Sequence, residues 1–219
     1  MRSRLAALSI ACCLLTAVHL LAGSVTGTVR TQAREGTLPA PAVVYAEPLD
    51  GPAPRAPRRF ALVQKNKTFQ PRVLAVPLGS TVDFPNNDPI HHNVFSLSGS
   101  QPFDLGLYRA GDSRSRTFTA PGMYRVFCNI HPQMSAIIIV APSGYTTVAA
   151  TDGRFTLDLP SGRYRLTAVS ERASAASVEV MSTQGASTAP DLTLDETTWT
   201  FAPHKNKFGA DYAAAAYSR

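Results

Sequence analysis

Along this chain, apolar and polar residues gather in short runs and do not form the 3.6-residue stripe of an amphipathic helix. Val, Ile, Thr, Tyr and Phe cluster in segments bounded by Pro, Gly, Asn and Asp, a pattern that predicts an all-β protein. Runs at 25–31 and 42–47 come first. Between 48 and 59, Pro48, Pro52, Pro54 and Pro57 mark an extended linker and a boundary. From 60 to 141 the expected strands lie near 60–64, 69–76, 81–85, 92–97, 103–107, 115–119, 122–128 and 135–141, enough for an antiparallel sandwich. Ala136-Ile137-Ile138-Ile139-Val140 abandons alternation, so this strand is expected at the centre of a sheet, covered on both faces.

Past Pro142-Ser143-Gly144 the pattern changes to hairpins: 146–150, a turn at Asp152-Gly153, 154–159, a second turn at Ser161-Gly162, then 163–169. Runs at 177–181 and 191–195 supply further strands, and the Ser-, Thr- and Ala-rich stretch between them reads as a loop. Beyond Trp199 the tail carries the basic element His204-Lys205-Asn206-Lys207-Phe208-Gly209, which reads as a frayed end or as a docked tail or partner contact, and then a short helical turn at 213–216.

Met1, Arg2 and Arg4 precede an apolar run at 5–21, and Ala22-Gly23-Ser24 offers the small residues of a cleavage site. Residues 1–23 therefore read as a signal peptide, and the protein as periplasmic or secreted, with no stable membrane insertion after cleavage. Loss of Arg2 and Arg4 lowers the formal charge from +6 to about +4. That excess is scattered, with Arg58-Arg59 its longest run, which argues against a nucleic-acid partner. Cys12 and Cys13 leave with the signal, so Cys128 stands alone in an oxidising compartment and has no internal disulfide partner. It is buried and inert, a nucleophile, or bonded to a metal.

Its neighbours bear on that choice. Cys128-Asn129-Ile130-His131-Pro132-Gln133-Met134 places a thiolate, an imidazole and a thioether between the end of one strand and the start of the next. Ile90-His91-His92-Asn93, on another strand, brings a second imidazole. Two imidazoles, one thiolate and a weak thioether are the donor set of a blue-copper electron-transfer site. Structural zinc sites use four Cys or His ligands and seldom a thioether. Adjacent strand residues face opposite sides, so only one of His91 and His92 is expected at the metal.

The Cys-x2-His-Pro-x-Met motif at 128–134, with His-Asn-Val at 92–94, resembles the cupredoxins, with amicyanin-like spacing. Gln64 to Pro71, Phe103 to Tyr108 and Thr151 to Phe155 extend the likeness to bacterial methylamine utilization proteins. In these a plastocyanin-like domain is joined to a carboxypeptidase-regulatory-like, transthyretin-type sandwich. The resemblance implies one type 1 copper held by His92, Cys128, His131 and Met134, with Met134 axial and His91 at the surface. It also implies that Asn93 braces the ligand loop near the Cys sulfur and that Pro132 joins an apolar patch beside His131. The fold it implies is a cupredoxin Greek-key sandwich at 57–142. This sits within a smaller second sandwich built discontinuously from 24–56 and 143–200, with 201–219 as a tail.

The expected function is single-electron transfer with a redox partner protein. Copper delivery, and a recognition module with an accessory copper site, stand as alternatives. An enzyme is not expected. Past the signal only His91, His92, His131 and His204 remain, too few for a second, catalytic copper site. A Cys128 hydrolase would leave Met134 unexplained.

Overall fold

The structure, a computed structural model, describes residues 22–98 and 101–213. The expected signal segment up to residue 21 and all but Ala213 of the expected helical turn lie outside the described residues. Two strands, β1 (Ala22–Gln32) and β2 (Val43–Pro48), precede the proline-spaced linker. Then come β3 (Arg59–Ala61), β4 (Val63–Lys65), β5 (Thr68–Gln70), β6 (Val73–Pro77), β7 (Thr81–Pro85) and β8 (His92–Ser96). They are followed by β9 (Phe103–Tyr108), β10 (Ser113–Thr117), β11 (Gly122–Phe127) and β12 (Ser135–Ala141). The last group is β13 (Thr146–Val148), β14 (Arg154–Pro160), β15 (Gly162–Val169), β16 (Ala176–Ser182), β17 (Ala186–Thr188) and β18 (Leu192–Asp195). Among the described residues no helix is long and apolar enough to cross a membrane.

The middle strands form one sandwich. A β6-β12-β11-β8-β9 sheet packs on a β10-β7-β3 sheet, with the β4-β5 hairpin beside them. Between the layers lie Leu62, Phe84, Phe118, Tyr124 and Ile138, all at most 1% exposed. Each such side chain contributes about 1.5–3 kcal/mol through burial.

The unbroken apolar run of β12 has a direct cause. The strand sits between β6, parallel, and β11, antiparallel. Ala136, Ile138 and Val140 enter the sandwich core, while Ile137 and Ile139 pack with Val43 and Val169 of the flanking strands. Both faces are buried, so alternation has nothing to separate.

Strands on either side of this insert make a second sandwich. One sheet runs β14-β1-β17, with β18 also paired to β1, and the other runs β13-β2-β15-β16. Val25, Val44, Leu159, Leu166 and Leu194 fill its core. Ala22 and Gly23, at the end of the expected signal, already pair with Pro160 and Leu159.

Several strand boundaries differ from expectation. The run at 60–64 divides into β3 and β4, because β3 follows β7 only as far as Ala61 before buried Leu62 carries the chain into the β4-β5 hairpin. The run at 69–76 divides at Pro71, which has no N–H for a ladder, and resumes as β6 against β12. The run at 115–119 sits at 113–117, set by pairing with β7. β17 lies where a loop was expected: three small residues pair in parallel with β1, too few to show a period. The tail is not frayed over 204–212. It lies against the loop between β11 and β12.

Candidate metal centre

β8 and the seven-residue loop that joins β11 to β12 bring the chemistry together. The loop is closed on itself: the Cys128 N–H donates to the Met134 carbonyl at 3.2 Å, and the Met134 N–H donates to the His131 carbonyl at 2.9 Å. Its ends are fixed by the β11-β12 ladder, in which Phe127 faces Ser135. On the neighbouring strand, His92 points inward and is fully buried, while His91 is exposed.

Three donor atoms converge. His92 Nδ1 lies 3.1 Å from His131 Nδ1, and Cys128 Sγ lies 3.7 Å from each of these nitrogens. A point equidistant from the corners of that triangle is about 2.0 Å from every one, close to ordinary metal–nitrogen lengths of about 2.0–2.1 Å and a metal–sulfur length of about 2.3 Å. Met134, 1% exposed, shares the core with Cys128, so its thioether belongs to the same buried environment.

The protonation states suit metal binding. Burial, then the positive influence of His92 and Lys67, pushes His131 below its ordinary value against the pull of Asp88, so its lone pair is free at neutral pH. Burial raises the Cys128 thiol, partly countered by the N–H groups of Asn93, Ile130 and His131. Without a cation the pocket holds a thiol. A metal displaces that proton and gains a thiolate.

Around the donors stands a second layer of contacts. Asp88, 7% exposed, sits 2.7 Å from His92 Nε2, which makes Nε2 the protonated nitrogen and leaves Nδ1 to the centre. The same carboxylate accepts the Asn66 and Lys67 N–H groups at 2.5 and 2.8 Å. Both residues have positive φ, 56° and 53°, in the tight turn of the β4-β5 hairpin. Burial alone would raise Asp88, but these N–H donors and His92 outweigh it and hold the carboxyl below its ordinary value.

Asn93 reaches the sulfur from the other side. Its N–H points at Cys128 Sγ at 3.5 Å, its Oδ1 accepts the Asn129 N–H at 3.3 Å, and its Nδ2 donates to Asp104 at 2.7 Å. Pro132 is buried, so the exposed apolar residue of the loop is Ile130, at 47%.

Residues 61–141 match the copper binding proteins of the plastocyanin/azurin family. Amicyanin-alpha of Methylorubrum extorquens is 31% identical over 75 residues, which covers 33% of this chain and 63% of that protein. Among solved structures, a copper-containing nitrite reductase of Thermus scotoductus SA-01 is 31% identical and covers 42% of this chain and 23% of that one, with a TM-score of 0.36. A purple cupredoxin of Nitrosopumilus maritimus is 28% identical and covers 35% and 84%, with a TM-score of 0.33. The cofactor of the 61–141 stretch is copper: it matches copper binding proteins, and one soft thiolate with two imidazoles at this spacing suits that metal.

Asp88, Asp104, His204 and Lys207 were not singled out as site residues from sequence. The Asp88-x3-His92 spacing is the one local trace of the first. The others depend on long-range packing that no motif encodes.

Proposed function

We propose that this protein carries single electrons between redox partners through one type 1 copper. His92 Nδ1, Cys128 Sγ and His131 Nδ1 would hold it as strong ligands, and Met134 would add a weak thioether donor. The observation that carries this reading is the triangle of two imidazole nitrogens and one sulfur, with His92 on β8 and Cys128 and His131 on the loop between β11 and β12. Copper bound there supplies a Cu(I)/Cu(II) couple, with the thioether and the hydrogen bonding at the sulfur setting its potential.

The chain's own residues serve that couple. Asp88 fixes the His92 ring, Asn93 directs an N–H at the thiolate, and burial of Cys128 and Met134 keeps water from the sulfurs. His131 is half-buried beside exposed Ile130, which gives a partner protein an apolar contact next to a ligand ring. The apolar N-terminal run supports export to the periplasm or beyond. The second sandwich, read as carboxypeptidase-regulatory-like, acts as a scaffold through the packing of Val43 and Val169 on β12.

The test is a Cu(II) titration of the mature protein followed by optical absorption and EPR, repeated with Cys128→Ser and His92→Ala. An intense thiolate-to-copper charge-transfer band with narrow hyperfine splitting is expected in the wild type and absent from both variants. A wild type that shows no such band, or that binds Cu(I) alone, overturns electron transfer in favour of copper delivery or of recognition without a metal.

A further inference from the structure

The tail lies on the ligand loop through two side chains, His204 and Tyr212, and the backbone N–H of Lys207. His204 stacks on Phe127, with ring centroids 3.8 Å apart and planes 14° from parallel, and its Nε2 lies 2.8 Å from the Pro132 carbonyl. Phe127 and Pro132 each adjoin a proposed ligand, Cys128 and His131. The Tyr212 hydroxyl donates to the Asn129 carbonyl at 3.1 Å, and the Lys207 N–H donates to Asn129 Oδ1 at 3.0 Å. The segment also has a shape of its own. Asn206 closes a turn by accepting the N–H groups of Phe208, Gly209 and Ala210, and Lys205 pairs with Asp211.

Lys207 connects this segment to the sulfur. Its ammonium lies 2.7 Å from Asp104 Oδ2, and the ion pair is only 25% and 39% exposed at the two side chains. Asp104 Oδ1 accepts Asn93 Nδ2, Asn93 Oδ1 accepts the Asn129 N–H, and Asn129 Oδ1 accepts the Lys207 N–H. The contacts form a closed ring: Lys207, Asp104, Asn93, Asn129 and back to Lys207. Asn93, a member of this ring, is the residue whose N–H faces Cys128 Sγ.

We propose that residues 204–212 are a built-in clamp on the ligand loop, and that Lys207 is a positioning residue acting through Asp104 and Asn93 on the Cys128 sulfur. The inference rests on the copper reading above. With the ammonium in place, the Asp104 carboxylate is held where it fixes the Asn93 amide, and the amide in turn fixes both the loop backbone and the N–H aimed at sulfur. Without it, Asp104 keeps only the Gly106 N–H and the Asn93 amide as partners, and its hold on Asn93 loosens. An N–H···S contact draws charge from the thiolate and so favours the reduced metal. Weakening it lowers the reduction potential.

The experiment compares wild type, Lys207→Met, Lys207→Arg and Lys205→Met. The last removes an ammonium whose ion pair lies within the segment itself. Amide hydrogen exchange on the copper-free protein reads the clamp directly. Lys207→Met is expected to speed exchange over 126–135 on the order of ten-fold, the loss of one charged hydrogen bond. Lys207→Arg is expected to restore protection and Lys205→Met to keep it. On the copper-loaded protein, the potential is expected to fall in Lys207→Met and to recover in Lys207→Arg. Unchanged exchange in Lys207→Met, or equal acceleration in Lys205→Met, overturns the clamp. Faster exchange with an unmoved potential overturns its reach to the sulfur. If the wild type gives no type 1 spectrum, the copper reading fails, while the exchange data still decide the clamp.

Discussion

Replacing Asp88 with Ala removes one carboxylate that three donors share. His92 Nε2–H is fully buried and would keep no acceptor, a loss of about 1–3 kcal/mol. The Asn66 and Lys67 N–H groups belong to exposed residues, so water replaces the carboxylate and each loss is about 0.5–1 kcal/mol. The copper-free variant should therefore be about 2–5 kcal/mol less stable in urea unfolding. With its ring orientation and tautomer released, His92 should also bind metal about 10–100-fold more weakly in a chelator competition. The effect depends on pH with a defined sign. The folded carboxyl lies below the ordinary 3.8, so its contribution is complete above that value and drains away as the pH falls through the folded pKa. Wild type and variant should thus converge in stability as the pH falls below the folded pKa and separate fully above about pH 5. A variant within about 0.5 kcal/mol of wild type at pH 7, with unchanged metal affinity, would refute the role assigned to Asp88.

Ile138→Ala should cost about 2–5 kcal/mol in urea unfolding, because the side chain is fully buried on β12, an interior strand of the copper-side sheet. A loss below about 1 kcal/mol would mean the core closes around the gap. Gly153→Ala should cost about 2 kcal/mol or more, since φ is 83° and a Cβ there would lie 2.2 Å from the Val29 carbonyl oxygen. Thermal melting of the variant checks this, and an unchanged midpoint would contradict the turn geometry. Cys128→Ser should leave the copper-free fold intact by circular dichroism while abolishing the charge-transfer band, because the swap is nearly isosteric.

What the sequence disclosed, and what it withheld, follows from the range of the forces involved. The β12 run was legible because burial on two faces removes polar residues locally, and Ile137 to Ile139 display that in consecutive positions. Asp152-Gly153 was legible because a positive φ selects glycine at the turn itself. The grouping of Cys128, His131 and Met134 needed no tertiary knowledge, since one short loop holds all three. Asp88 was hidden because a carboxylate in a Pro-flanked turn is ordinary surface chemistry until its orientation is known. The tail was hidden for a stronger reason: Lys207 and Asp104 are 103 positions apart, and a basic, Gly-containing segment looks the same in sequence whether it frays or docks.

The two-sandwich arrangement bears on the chemistry through β12. A free-standing sandwich would expose the outer face of the sheet that carries the ligand loop. Here Ile137 and Ile139 are covered by Val43 and Val169, and Arg72 and Arg125 reach across to Glu171. The C-terminal end of β11 and the N-terminal end of β12, which anchor Cys128 and Met134, are thus held from the interior, from the second sandwich and from the tail. Copper(I) and copper(II) prefer different coordination, and a loop free to follow each preference would rearrange at every transfer. Covering on three sides resists that movement. In this reading the surrounding strands serve electron transfer through stiffness, and the exchange rate of the 128–134 amides is the quantity that should track it.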